Sequence, residues 1–267
     1  MFQTPVLRRV FVALARFREW AGLSVSGLLA VAAGIVAVAG TVVVFGGVTE
    51  DVTRHNGLSS MDPLRLRWFI DHRPHALVSA ARVMSAVGGP VALVLVAVVA
   101  AMLLWWRGQR LLLALAPGIA FGLSGVGVAA GKLVVGRNRP PVPLHLIVES
   151  DPSFPSGHAT EATAVFVTLA FVVAVFVLRR PIVRAATVLG AGLLSVAIGA
   201  SRLVLGVHWP SDVIAGWALG AGTALTVTLA ASLVAHIAPT RPVSSRPIAR
   251  FVQLVTRERR PRSLEAA

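Results

Sequence analysis

Residues 154–178 read FPSGHATEATAVFVTLAFVVAVFVL, a polar turn, Phe154-Pro155-Ser156-Gly157-His158, that opens an apolar run from Ala159 to Leu178. A run of about 20 apolar residues is long enough to cross a ~30 Å hydrocarbon core as a helix. Five more such runs lie at roughly residues 24–46, 88–106, 111–131, 184–200 and 213–237. The composition agrees: 56% of the 267 residues are hydrophobic, 13% are charged and the mean hydropathy is +0.79, too apolar for a soluble chain of this length. The expected fold is all-α, a polytopic membrane bundle of six transmembrane helices over residues 24–237, with a segment 1–23 before it and a basic tail 238–267 after it. The turn has a second meaning. A Ser-Gly pair beside a helix start leaves backbone N–H groups free at the positive end of the helix dipole, which suits an anion.

Basic residues set the orientation, because Arg and Lys are retained on the cytoplasmic side. If the spans alternate, one side receives Arg8, Arg9, Arg16 and Arg18, then Arg107 and Arg110, then Arg179, Arg180 and Arg184, then seven arginines from Arg241 onward. Both termini are therefore expected in the cytoplasm. Residues 1–23 show no clear cleavage site and set Val6, Val10, Phe11, Leu14 and Phe17 among arginines, the pattern of a short helix at the inner interface. The tail from Thr240, with Pro and Arg throughout, is expected to be disordered or to lie on the membrane surface. The net charge of +14 does not indicate nucleic acid, since the arginines flank spans and no basic fold motif is present. Anionic lipid headgroups suit these tails better. Absence of cysteine excludes a Cys nucleophile, a disulfide framework and a thiolate metal site.

Residues 47–87 form the first outside loop. Asp62-Pro63 reads as an N-cap and first helical residue, opening a helix whose Leu64, Trp68, Phe69 and Ile70 belong in the outer headgroup layer. Pro74 ends it, and Gly88-Gly89-Pro90 marks entry to the second span. His55, His72, His75, Asp51, Asp62 and Asp71 lie here, but no two of these histidines have the i, i+4 spacing of a helical zinc site, and no metal is assigned.

Three polar clusters lie further on. Lys132, the one lysine among 25 basic residues, stands at the outer end of the third span, and Arg139 follows seven residues later, two helical turns away if the helix continues. They read as a snorkelling pair at a membrane edge or as cations held for an anion. Arg137 between them reads as a solvated or headgroup-facing charge. His158 opens the fourth span as an interfacial polar residue or a site residue, and Glu161 is placed to bond free N–H groups of that helix start or to complement its dipole. Ser201-Arg202 closes the fifth span, and His208-Trp209-Pro210-Ser211-Asp212 opens the sixth. Asp212, four residues after His208, can hold one imidazole nitrogen and leave the other as a nucleophile. Alternation of the spans puts Lys132, His158, Arg202 and Asp212 on one membrane face, and converging charges at a membrane edge are functional by default.

Lys132-x6-Arg139-Pro140, Pro155-Ser156-Gly157-His158 and Ser201-Arg202-x5-His208-x3-Asp212 resemble the three signature motifs of the type 2 phosphatidic acid phosphatase superfamily, in order and at every signature position. The signature is similar to that of vanadium-dependent haloperoxidases, which are mainly soluble. The resemblance implies a metal-independent, cofactor-free phosphatase in which His208 attacks phosphorus, Asp212 fixes its tautomer and His158 protonates the leaving oxygen. Lys132, Arg139 and Arg202, with Ser156 and the Gly157 N–H, would bind the phosphoryl group. A lipid phosphate of the outer leaflet is the implied substrate, of isoprenoid diphosphate, phosphatidate or phosphatidylglycerol phosphate type, in a bacterial plasma membrane. A phosphotransferase using the same phosphoenzyme fits the same residues. A lipid transporter that only binds the headgroup does not need His158, His208 and Asp212.

Overall fold

The computed structural model describes Gly22 and residues 24–237; the helix expected within residues 1–23 and the tail from residue 238 lie outside the described residues. Among these the helices are α1 Val25–Arg54, α2 Gly57–Ser60, α3 Asp62–Asp71, α4 His75–Val87, α5 Pro90–Trp106, α6 Leu111–Val135, α7 Gly157–Phe176, α8 Pro181–Val204 and α9 Pro210–Ile237, with a 3-10 turn at Val142–Leu144. No strand occurs among the described residues. The all-helical membrane architecture expected from the apolar runs is therefore the observed one.

Five helices, α1, α6, α7, α8 and α9, are long and apolar enough to cross a membrane alone. The second expected span is built differently. Helix α5 has 17 residues, about 25 Å at 1.5 Å per residue, and makes a sixth crossing only together with α4, from which it is bent by 53°. The bend falls at Gly88-Gly89-Pro90, where Gly89 is extended and Pro90 has no N–H with which to continue the ladder.

Other boundaries shift for local reasons. Helix α1 runs on to Arg54, where His55 adopts the left-handed conformation and donates its N–H to Asp51 and Val52 carbonyls. Met61, not Asp62, caps α3; Asp62 is the first helical residue, and its carboxylate is turned onto Ser211 and Arg137 instead of its own helix. Pro74 opens α4 as its cap, α3 having ended at Asp71. Helix α6 stops at Val135 because Gly136, at φ 57°, turns left-handed and returns its N–H to the Lys132 carbonyl at 3.0 Å. Lys132 and Arg139 are thus not two turns apart on one helix. Arg139 approaches from the loop.

Helix α7 is the central element, packed on α6, α8 and α9, while α1 packs on α9 and α4 on α8. Its Ala159, Ala162, Ala164, Val165 and Val172 are wholly buried. Close approach of membrane helices relies on small residues, because lipid tails are as apolar as the side chains they would replace. Gly216-x-x-x-Gly220 on α9 supplies it here. A Cβ at Gly216 would stand 2.9 Å from both the Ala159 Cβ and the Ser156 carbonyl oxygen, and one at Gly220 would stand 2.7 Å from the Thr163 Cβ. This contact brings the start of α7 against the first turn of α9, and the Ser156 N–H donates to the Asp212 carbonyl at 3.1 Å.

Overpacking a close helix contact costs about 1–3 kcal/mol. Gly220→Leu should therefore lower the melting temperature of the detergent-solubilised protein, whereas Gly40→Leu, with nothing within 4 Å of its Cβ, should leave it unchanged. Equal melting of the two variants would show that the α7–α9 seam is not this tight.

Candidate active site

The end of the bundle formed by the C-termini of α6 and α8 and the N-termini of α7 and α9 holds the polar residues the sequence singled out. His208 lies in the loop between α8 and α9, and its side chain is 2% exposed. Its Nε2 is 3.1 Å from a guanidinium nitrogen of Arg139. Arginine can only donate, so Nε2 is the acceptor and the ring proton sits on Nδ1, which faces Asp212 Oδ2 at 3.4 Å. Burial pushes the His208 pKa down; Asp212 opposes this and Arg139 and Arg202 add to it, and the result is about 4. The ring is neutral at pH 7.

Asp212 is fully buried in the first turn of α9. Its Oδ2 also accepts the Trp209 N–H at 2.9 Å, and its Oδ1 accepts from Arg137 at 2.6 Å. The structure corrects the reading of Arg137 here. Far from facing solvent or headgroups, it is 17% exposed and bridges Asp212 to Asp62, whose Oδ2 it meets at 2.7 Å, with its guanidinium carbon 5.6 Å from the centre of the Trp209 ring.

The three expected phosphate cations converge beside His208. Arg139 donates to the Val207 carbonyl at 2.7 Å as well as to His208. Lys132 pairs with Asp151, and Arg139 pairs with the same carboxylate at 2.7 Å. Arg202, 1% exposed, donates to Glu149 and to Ser85. Burial works to raise the Asp151 pKa, but hydrogen bonds from Lys132 and Arg139 outweigh it and hold the carboxyl at about 2. The loop between α6 and α7 thus lays two carboxylates across three cations. Ser156 Oγ and Arg202 Nε are buried without a hydrogen-bond partner in this arrangement.

His158, the second residue of α7, is half-buried and makes no hydrogen bond with the described residues. It lies within electrostatic reach of Arg202, His208, Lys132 and Arg139. Gly157 is the first residue of α7, at the helix end turned to the cations. Of the two readings of Glu161, bonding to the free N–H groups is not found among the described residues; it lies in the first turns of α7, with Lys132 the charge that acts on it. The structure therefore brings together Lys132, Arg139, Ser156, Gly157, His158, Arg202, His208 and Asp212, and adds Asp62, Ser85, Arg137, Glu149, Asp151 and Ser211. Among these additions Arg137 carried a sequence signal, its place two residues before Arg139. The histidines and carboxylates of residues 47–87 form no metal cluster among the described residues.

The family model of the PAP2 superfamily matches residues 111–234, which contain all three motifs. That match covers 124 of the chain's 267 residues. Phosphatidylglycerophosphatase B of Bacillus subtilis is 36% identical over 75 residues, which make up 28% of this chain and 37% of that one. Decaprenylphosphoryl-5-phosphoribose phosphatase of Mycolicibacterium smegmatis is 37% identical over 105 residues, 38% of this chain and 51% of that one. The chain thus spans about half or less of the length of these curated relatives. The fold is similar to that in the crystal structure of a transmembrane PAP2 type phosphatidylglycerolphosphate phosphatase from Bacillus subtilis, with a TM-score of 0.67 at 23% identity over 76% of this chain and 98% of the other.

Proposed function

We propose that the protein is an integral-membrane, metal-independent phosphatase that hydrolyses phosphate or diphosphate esters of membrane lipids through a phosphohistidine on His208. The observation that carries the reading is the state of His208: a neutral ring with its proton on Nδ1 toward Asp212 and its Nε2 lone pair on Arg139, which shares Asp151 with Lys132 and Glu149 with Arg202. Both curated relatives are named as phosphatases, one of phosphatidylglycerophosphate and one of a decaprenylphosphoryl phosphoribose, which supports a lipid ester as substrate.

In this mechanism the phosphoryl oxygens replace Glu149 and Asp151 on the cations and are joined by Ser156 and the Gly157 N–H. Taking the Arg139 N–H away from Nε2 frees its lone pair for attack. The Nε2–P bond forms as the bond from phosphorus to the leaving oxygen breaks, and His158 supplies the proton that oxygen needs. The imidazolium so formed faces Asp212. Water then attacks phosphorus, gives its proton to His158, and returns phosphate and free His208. Fixed cations stabilise the transition-state charge that a metal would otherwise offset.

The arginine distribution supports cytoplasmic termini and a site on the outer face of a bacterial plasma membrane. With no native cysteine in the chain, single cysteines in place of Gly108 and Pro143 test this in intact cells. An impermeant thiol reagent should label the second and spare the first, and the reverse pattern would overturn the orientation.

Purified protein should release phosphate from a panel of isoprenoid diphosphate, phosphatidate and phosphatidylglycerol phosphate in EDTA, and vanadate should inhibit it. Activity that vanishes in EDTA and returns with a divalent ion would refute the metal-free mechanism.

His158 and His208 should separate by leaving group. His208→Ala should lose turnover on every substrate. His158→Ala should slow phosphoenzyme formation by about 10² to 10⁴ on lipid monoesters, the scale of general acid catalysis, and much less on a nitrophenyl ester. Rapid-quench measurement of phosphoenzyme formation on both substrates decides it: equal slowing on both would assign His158 to binding or architecture.

A further inference from the structure

Asp62 stands at the catalytic end, yet the mechanism above leaves it unused and no motif includes it. It belongs to α3, outside the membrane-spanning helices, yet it is 1% exposed. Its Oδ1 accepts the Ser211 N–H at 3.0 Å, its Oδ2 accepts from Arg137 at 2.7 Å, and Ser211 Oγ donates to the same oxygen. The other amino group of the Arg137 guanidinium donates to Asp212 Oδ1 at 2.6 Å and to Ser211 Oγ at 2.7 Å. The result is a buried row, Asp62, Arg137, Asp212, His208, in which one guanidinium lies between two carboxylates.

We propose that Asp62 is a positioning residue that sets the charge Asp212 presents to His208. The inference rests on the proposed role of His208 as nucleophile. With Asp62 removed, Arg137 would neutralise Asp212, and the imidazolium formed by attack would face a carboxylate with no net charge behind it. With Asp62 in place, the three groups carry one net negative charge. That charge reaches His208 at low dielectric, where electrostatic effects are large. His208 is faced by Arg139 in contact and by Arg202 and His158 further off, and among the described residues Asp212 is the one carboxylate bonded to its ring. Glu149 and Asp151 offset Arg139 and Arg202 on the cation side, whereas the Nδ1 side of the ring is faced by Asp212.

A structural role for Asp62, as an anchor for the first turn of α9, makes a different prediction about charge. Asp62→Asn leaves the row neutral, whereas Asp62→Asn combined with Arg137→Gln restores one negative charge on Asp212 alone. Full-length protein in detergent, with p-nitrophenyl phosphate in rapid quench, reads the phosphorylation step. Asp62→Asn should slow the burst roughly 10- to 100-fold, the range of a lost hydrogen bond to a charged group, with KM within about 2-fold of wild type. The double variant should recover most of that loss. A double variant as slow as Asp62→Asn or slower, an Asp62→Asn burst at the wild-type rate, or a raised KM with an unchanged burst would each overturn the proposal.

Should Asp62→Asn fail to fold, the double variant still decides, since the proposal requires a near wild-type burst from it. Ser211→Ala provides a further readout, because it removes only the hydroxyl that bridges Asp62 and Arg137 beside their direct ion pair. It should slow the burst by a smaller factor with KM unchanged; no slowing would count against the row. Trapping of the phosphoenzyme separates the two levels of argument. No phosphohistidine in the wild type, or one that survives His208→Ala, defeats the nucleophile assignment. An intact wild-type phosphohistidine with an unresponsive Asp62 series defeats this inference alone.

Discussion

A carboxylate buried without solvent has to be met by charge and by hydrogen bonds, because an unpaired buried ion costs several kcal/mol. Asp212, in the first turn of α9, is that group here. Its partners are the Arg137 guanidinium, the Trp209 N–H and the His208 ring. Arg137 in turn is balanced by Asp62 from α3. Satisfying one carboxylate therefore fastens the loop after α6, the loop after α8 and the short helix α3 to a single point. It also fixes the His208 ring by its Nδ1 side, which decides which nitrogen faces the cations.

The seam between α7 and α9 makes that point reachable. Two glycines on α9 let its backbone approach Ala159 and Thr163, so that Ser156 can donate its N–H to the Asp212 carbonyl. Bulkier residues at Gly216 and Gly220 would part the two helix ends that carry His158 and Asp212. Away from this seam the helices present Val36, Val43, Leu95 and Leu133 outward, as a surface facing lipid tails can. The polar side chains of the candidate site gather at one end of the bundle, where the chain leaves regular helix.

Much of this was legible along the chain. The spans, the three motifs and the shared face of Lys132, His158, Arg202 and Asp212 follow from local spacing and from alternation of helices. Three features were not, and each has a physical reason. Arg137 reads as solvated because its partners, Asp62 and Asp212, are 75 residues away on either side. Asp62 reads as a cap because the Asp-Pro pair suits one, and only the approach of α9 draws its carboxylate away. Glu149 and Asp151 are undistinguished in sequence, and their place on the cations depends on how the loop folds back over the bundle end. The bend between α4 and α5 was half legible: Gly88-Gly89-Pro90 marks a break, but the helix that precedes it looks like part of a loop.

The charge at the mouth of the site links these pieces to turnover. Lys132, Arg139 and Arg202 bring three positive charges, and Glu149 and Asp151 bring two negative ones. In the proposed mechanism a phosphate monoester dianion carries the same two charges as the pair of carboxylates it displaces. Binding is then an exchange of anionic oxygens on cations that are never bare, so the desolvation of three guanidinium and ammonium groups is not added to each cycle. The exchange works equally in reverse. Once the phosphohistidine is hydrolysed, the same two carboxylates compete with free phosphate for Lys132, Arg139 and Arg202. A site built from three cations alone would hold its product tightly, and tight product binding slows turnover. In that mechanism the loop that covers the cations would weaken their hold on phosphate, while the Asp62–Arg137–Asp212 row would hold the His208 ring in place through the exchange.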